Sequence, residues 1–202
     1  MKRMIKAIVN GLFILIMSPA GVLSAFGRVR GMFEFFSRLF SFVPGIIGDY
    51  ARRAYYVMTL QSCSMQCCIS FGTFFAHREA LVEDGVYIGS YCIIGRAHIG
   101  ARTQIASNVH ILSGQHQHRR DENGNILGSE SGHFEEITIG ANCWIGTSAV
   151  VMANVGEGST IGAGSVVTKN IPPGVVAVGS PARVIKDAGS GRLPVDTRPA
   201  HA

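Results

Sequence analysis

Ile139-Gly140-Ala141-Asn142-Cys143-Trp144-Ile145-Gly146-Thr147-Ser148-Ala149-Val150-Val151 places an aliphatic residue at every sixth position. The same beat runs through Val82, Ile88 and Ile94, through Ile93, Ile99, Ile105 and Ile111, and through Val155, Ile161 and Val167, with the phase slipping by a residue or two between series. Glycine or alanine often follows the aliphatic residue, as in Ile88-Gly89, Ile99-Gly100, Ile105-Ala106 and Ile161-Gly162. A helix asks for apolar residues every three or four positions and an isolated strand every two. Six suits short strands joined by tight corners, with one aliphatic side chain per face turned inwards. Self-similarity at a fixed period marks a solenoid, in which each repeat buries its apolar side by stacking on its neighbours. A β-sandwich of regular short strands is the competing reading, and the many matches followed by a small residue stand against it.

The stretch from about Cys63 to Ile185 resembles the hexapeptide-repeat acyltransferases. The likeness is closest where Ile139 to Gly146 leads on to Ile161-Gly162-Ala163-Gly164-Ser165-Val166-Val167-Thr168-Lys169, then Ile171-Pro172-Pro173 and Gly179-Ser180-Pro181-Ala182-Arg183-Val184-Ile185. The resemblance implies a mainly β fold, a left-handed parallel β-helix solenoid of triangular cross-section. That hand departs from the usual right-handed crossover, and the spacing alone does not reveal it. The expected organisation is a helical, membrane-associating arm over 1–60, the solenoid over 61–186 with a protruding loop at 115–136, and a flexible tail over 187–202.

The chain of 202 residues has a formal net charge of +5, but the charge is unevenly placed. Residues 1–60 carry eight basic side chains (Lys2, Arg3, Lys6, Arg28, Arg30, Arg38, Arg52 and Arg53) against Glu34 and Asp49, while the remainder is close to neutral. A nucleic-acid reader shows a basic stripe on its folded domain, so no nucleic-acid partner is expected. The basic arm is also the most apolar part of the chain, which points to an anionic membrane surface. Five cysteines (Cys63, Cys67, Cys68, Cys92 and Cys143) form neither a disulfide framework nor a paired metal-binding spacing. They read as small packed residues, and no metal is expected.

Ile5 to Phe26 is apolar apart from Lys6, Asn10 and Ser18-Pro19-Ala20-Gly21. A cleaved signal peptide, a single span and a re-entrant or interfacial hairpin broken at Pro19 and Gly21 all fit this composition. Basic residues at both ends favour keeping both in the cytoplasm, so the hairpin or an in-plane helix on the cytoplasmic face of the plasma membrane is the expectation. Met32, Phe35, Phe36, Leu39 and Phe40 repeat at helical spacing, an amphipathic helix that suits either a bilayer surface or a cap on the solenoid. A further helix is expected from Asp49 to Tyr56, leading into the first coil.

Between Ile111 and Ile137 the beat stops, and a polar stretch carries His116 and His118 at its root. A long insertion within a repeat array is a loop pushed out from one face, commonly a functional one. In the resembled family, a histidine where such a loop leaves the coil is the general base that deprotonates an acceptor hydroxyl as it attacks a thioester. Imidazole titrates near working pH and suits that task. His116 falls at the last position of the hexad begun by Ile111; His118-Arg119-Arg120-Asp121 has a His-x-x-Asp form. The preference falls slightly on His118, and both stand as candidates. His77, His98, His110, His133 and His201 read as surface or packing residues.

The resemblance also implies an acetyl-CoA site along the later coils. Trp144 and Thr147 are expected along the pantetheine arm, with Ala163 and Gly164 where the donor passes close to backbone. Thr168, Lys169, Arg183 and Lys186 are expected at the phosphates and adenine, where cations suit the charge. Val151-Met152-Ala153-Asn154-Val155-Gly156 is shorter than the family's usual turn. The expected activity is acyl-CoA-dependent O-acyl transfer, with acetyl as the group. Its acceptor is a sugar hydroxyl of a membrane-linked glycan or exopolysaccharide precursor, and the enzyme a homotrimer. The alternatives are an antibiotic or small-molecule acetyltransferase and, less favoured, a zinc carbonic anhydrase using His98, His110 and His116.

Overall fold

In the computed structural model, which describes residues 2–25, 31–114, 120–127 and 134–188, the six-residue period becomes very short parallel strands separated by tight corners. They stack into three faces. The first holds β1 (Ser62–Cys63), β4 (Leu81–Val82), β7 (Ala97–Ile99) and β10 (Ile137–Ile139), continued by bridges at Val155 and Ile171. The second holds β2 (Cys68–Ile69), β5 (Tyr87–Ile88), β8 (Gln104–Ile105), β11 (Trp144–Ile145), β13 (Thr160–Ile161) and β15 (Val175–Val178), with β16 (Arg183–Asp187) folded back antiparallel on the last. The third holds β3 (Phe74–Phe75), β6 (Ile93–Ile94), β9 (His110–Ile111), β12 (Val150–Val151) and β14 (Val166–Val167). The result is a mainly β parallel solenoid of about six coils.

Because the strands pair in register, the beat residues stack in columns. Ile69, Ile88, Ile105, Ile145 and Ile161 follow one another on the second face, and Phe75, Ile94, Ile111, Val151 and Val167 on the third. Each is fully or almost fully buried, a contribution of about 1.5–3 kcal/mol per side chain. The small residue after each aliphatic one is a stacking requirement. A Cβ on Gly146 would lie 2.5 Å from the backbone nitrogen of Ala163 in the next coil, and one on Gly140 would lie 2.4 Å from that of Glu157.

The phase slip has a single location. Within each coil the six-residue spacing holds from first face to third, and the irregularity falls at the corner from third face back to first. Ile94 is followed by Ile99, Val151 by Val155 and Val167 by Ile171. Ile94, not Ile93, therefore points inwards: Ile94 is buried and Ile93 only half-buried. The shortened turn at Met152-Ala153-Asn154 is closed by side-chain amides, since Asn154 Oδ1 accepts from Thr138 N (2.8 Å) and Asn170 Oδ1 from Asn154 N (3.1 Å).

Three helices cover the open end of the first coil, a strand edge that would otherwise invite pairing: α1 (Lys2–Ala25), α2 (Gly31–Ser41) and α3 (Gly45–Thr59). The expected break at Pro19–Gly21 is absent, and α1 runs straight through it. Proline removes the amide that would reach the carbonyl four residues back. Here the Ser18 hydroxyl donates to that carbonyl, Leu15 O, at 2.8 Å. Gly21 admits the Met58 side chain, whose atoms would lie 3.2 Å from a Cβ there. Arg52, fully buried, ties the cap together. It donates to the carbonyls of Ile69 (2.8 Å), Phe40 (3.1 Å), Ser41 (3.3 Å) and Val43 (2.7 Å), and pairs with Asp49 at 2.6 Å. Arg53 is also buried, bonded to Asn10 of α1 (2.6 Å) and to Cys67 O (3.3 Å), with its guanidinium 4.4 Å from the Tyr50 ring centre. Two of the arm's eight basic residues are thus internal rather than part of a charged surface. The five cysteines are free thiols, with Cys67, Cys92 and Cys143 buried.

Candidate active site

The interrupted beat lies at the same corner as the phase slips, between third face and first. There the coil returns through Ala76-His77, then Gly95-Arg96, then the loop between Ile111 and Ile137, then Met152 to Asn154, then Thr168 to Asn170. Both legs of the loop are seated on Gly95 and Arg96. On the outgoing leg the Ser113 hydroxyl accepts from Arg96 N at 2.8 Å. On the returning leg Arg96 Nη1 donates to Phe134 O at 3.1 Å, and Ile137 N donates to Arg96 O at 2.9 Å. The legs join through Glu135 N to Ser113 O at 3.0 Å. The His77 ring lies 4.9 Å from the Phe134 ring, centre to centre. Burial holds the His77 imidazole below its ordinary pKa, with Glu79 opposing and Arg96 reinforcing the shift. Arg96 Nε is buried without a hydrogen-bond partner among the described residues.

His116 and His118 both lie outside the described residues, as do His133 and His201. Asp121 of the His-x-x-Asp spacing is described, and its carboxylate is spent on a local turn. It accepts from Asn123 N (2.9 Å), Asn125 N (2.8 Å) and Asn125 Nδ2 (3.0 Å), and the Asn125 side chain leads in holding its pKa down.

The other sequence candidates fall into two groups. Trp144 is exposed on the second face, paired with Gln104 and Thr160. Thr147 and the Ala163–Gly164 pair stack at the corner between second and third faces, where Gly164 N donates to Thr147 O at 2.8 Å. Gly164 adopts φ +66 there, a conformation that favours glycine. Arg183 and Lys186 lie on β16, opposite Val178 and Val176 at the end of the second face. Thr168 and Lys169 stand apart, across the width of the third face. They line a polar groove of about 400 Å³ with Glu135, Glu136, Met152 and Asn154, at the corner from which the loop emerges. The structure therefore brings Thr168 and Lys169 to the loop and Thr147, Ala163 and Gly164 to one corner, while Trp144 lies on β11 and Arg183 and Lys186 on β16 of the second face.

For the zinc alternative, His98 and His110 sit on different faces of the coil, in β7 and β9. His98 is paired with Glu83 at 2.7 Å. No group of three or more potential metal ligands occurs among the described residues. His77 and Arg96 meet the legs of the loop although the six-residue period marks neither of them. The available signal was the slip itself, since Arg96 sits where the beat shortens.

Comparison with known proteins agrees with this architecture. The family pattern described as "Bacterial transferase hexapeptide (six repeats)" matches residues 136–169. The chain is 44% identical over 93 residues to a galactoside O-acetyltransferase of Escherichia coli, covering 44% of this chain and 43% of that protein. It is 36% identical over 118 residues to the bifunctional protein GlmU of Rubrobacter xylanophilus, covering 55% of this chain and 25% of that protein. It spans less than half the length of either relative. Among solved structures, a maltose O-acetyltransferase from Clostridium difficile superposes with a TM-score of 0.55 at 28% identity, covering 76% of this chain and 83% of that one. With the six-residue beat, the three-faced coil and these likenesses in agreement, the chain carries the bacterial transferase hexapeptide repeat over residues 136–169 and is similar, over part of its length, to galactoside and maltose O-acetyltransferases.

Proposed function

We propose that this protein transfers an acetyl group from acetyl-CoA to a sugar hydroxyl, with His116 or His118 as general base. The observation that carries this reading is the juxtaposition at one corner: the loop bearing both histidines returns along the groove that Thr168 and Lys169 line. In the reaction the histidine takes the proton as the acceptor oxygen attacks the thioester carbonyl, and the coenzyme thiolate leaves. Poor nucleophilicity of a protonated hydroxyl is what the base overcomes. The names of the galactoside and maltose O-acetyltransferases support a sugar acceptor.

Separation of the donor candidates between the groove corner on one side and the second face with its own corner on the other supports a homotrimer with sites shared between neighbouring copies. One donor meets Lys169 and Arg183 together when the corner of one copy faces the second face of the next. Lys169→Ala and Arg183→Ala should each raise KM for acetyl-CoA roughly tenfold, about 1.5 kcal/mol for a lost charge-assisted contact. Mixed trimers of the two variants should recover a fraction of sites with the original KM. No recovery on mixing, or an unchanged KM in both variants, would move these residues out of a shared donor site.

The acceptor in this reading is membrane-linked, and the cap rests on the cytoplasmic face of the bilayer. Met4, Ile5, Ile8, Leu12, Leu15, Ile16, Val22 and Leu23 form an exposed apolar face on α1, joined by Phe35, Leu39 and Phe42 near α2 and by Ile46 and Ile47 of α3. Soluble monomers rarely leave so extended an apolar patch bare. A helix of 24 residues reaches about 36 Å, enough to span the roughly 30 Å hydrocarbon core, so length does not oppose crossing. The opposite side of α1 does, because it is fastened to α3 and the solenoid. Asn10 bonds Arg53, Phe13 stacks on Tyr50 at 5.4 Å, Ser24 bonds Tyr55 at 2.8 Å and Arg78 reaches Ser24 O at 3.1 Å. An in-plane helix keeps these contacts and wets none of the outer face. The protein should float with anionic vesicles in high salt, and Leu12→Glu with Ile16→Glu should leave it in the soluble fraction, still folded. Flotation unaffected by both charges, or tags at the two termini on opposite sides of the membrane, would overturn this placement.

A further inference from the structure

We propose that Arg96 is a positioning residue for the acyl-transfer reaction, clamping the loop that bears the candidate base, and that His77 seats the loop's returning leg through Phe134. This rests on the acyl-transfer reading above. The loop leaves the coil after Gly114 and returns at Phe134, and among the described residues Gly95 and Arg96 of the coil beneath hold both of those points. The outgoing leg is held by the Arg96 amide on the Ser113 hydroxyl, and Ser113 is itself buried. The returning leg is held by the Arg96 guanidinium on Phe134 O and by Ile137 N on Arg96 O. Gly95 makes the approach feasible, since a Cβ there would lie 2.5 Å from Ser113 Oγ. His77, one coil further down, presents its ring to Phe134, so the returning leg is gripped at both its backbone and its side chain. Backbone contacts alone would survive most substitutions at position 96. The guanidinium bond and the ring contact are the two that side-chain changes remove.

Positioning matters here because the outgoing leg reaches His116 two residues beyond Gly114. A displacement of about 1 Å at a reacting group costs on the order of a hundredfold in rate. A residue that merely stabilised the coil would lower the melting temperature and leave turnover per folded molecule unchanged.

The test uses the full-length protein and four variants. Arg96→Met keeps the aliphatic stem and loses the donors; Arg96→Lys keeps one donor; His77→Ala removes the ring; His77→Phe keeps it. Steady-state acetyl transfer to sugar acceptors is measured beside amide hydrogen exchange. In Arg96→Met and His77→Ala, kcat should fall roughly ten- to a hundredfold with KM for acetyl-CoA unchanged. Exchange at the Glu135 and Ile137 amides should quicken, while the Gly72 amide, bonded to Ser41 O under the cap, stays as in the parent. Arg96→Lys and His77→Phe should retain most of the activity. Parent-like exchange at Glu135 and Ile137 in Arg96→Met overturns the clamp, as does faster exchange there with unchanged kcat. Were the parent protein itself to transfer no acetyl group to any sugar, the acyl-transfer reading and the catalytic half of this proposal would fall together. Exchange would then decide the clamp by itself.

Discussion

Replacing His116 and His118 together by alanine is expected to lower acyl transfer about 10²–10⁴-fold, the ordinary contribution of a general base. Affinity for acetyl-CoA should be little changed, because the donor candidates are other residues: Thr168 and Lys169 in the groove, and Trp144, Thr147, Ala163, Gly164, Arg183 and Lys186 on the second face and its corner. The single replacements separate the two candidates, since the base carries nearly the whole effect and the other histidine little of it. Asp121 bears on the choice. Its carboxylate is engaged by Asn123 and Asn125 in a turn, so the His-x-x-Asp spacing has a local explanation that does not require His118. The checks are initial rates with saturating donor and calorimetric binding of acetyl-CoA. Full activity in the double variant would remove histidine catalysis at this loop.

Arg52→Met is expected to cost about 3–5 kcal/mol and lower the melting temperature by about 10 °C. A methionine fills much of the same space and returns none of the hydrogen bonds. Of the four carbonyls that Arg52 serves, those of Val43 and Ile69 then lose their donor, while Phe40 O keeps Val43 N (3.3 Å) and Ser41 O keeps Gly72 N (2.8 Å). Each such carbonyl costs about 1–3 kcal/mol when left unpaired, and relaxation recovers part of the sum. Because three of the four end α2 or follow it, and the fourth belongs to the first coil, the damage should begin at the cap. Hydrogen exchange at the Gly72 amide, which is bonded to Ser41 O at 2.8 Å, should quicken before that at Gly146 or Gly162 deep in the stack. A melting temperature within 2 °C of the parent would show that Arg52 does not hold the cap.

The repeat was legible because it is a property of the chain taken six residues at a time. Ile139, Ile145 and Val151 meet the same demand on three successive faces, and the glycine after each of the first two answers to the coil stacked against it. Spacing of that kind survives without knowledge of any partner. The choice between Ile93 and Ile94 did not survive so well. Either continues a series of sixes when read along the chain, and the stacking of Ile94 between Phe75 and Ile111 decides which one is buried. The same limit applies to Ser18-Pro19. Proline read alone ends a helix, whereas the bond from Ser18 to Leu15 and the packing of Met58 on Gly21 let it continue.

By itself the sequence determined a solenoid of short strands and tight corners, the polar loop that interrupts it and the small residues at its corners, because these follow from periods and side-chain sizes along the chain. The tertiary structure decided which residues meet at the loop's root, where Arg96 and His77 grip it from two different coils. It also decided that Arg52 and Arg53 lie inside the cap, and that the donor candidates divide between the groove corner and the second face with its adjoining corner. Those are contacts between residues far apart in sequence. They depend on how coils and helices stack, and no local spacing encodes that.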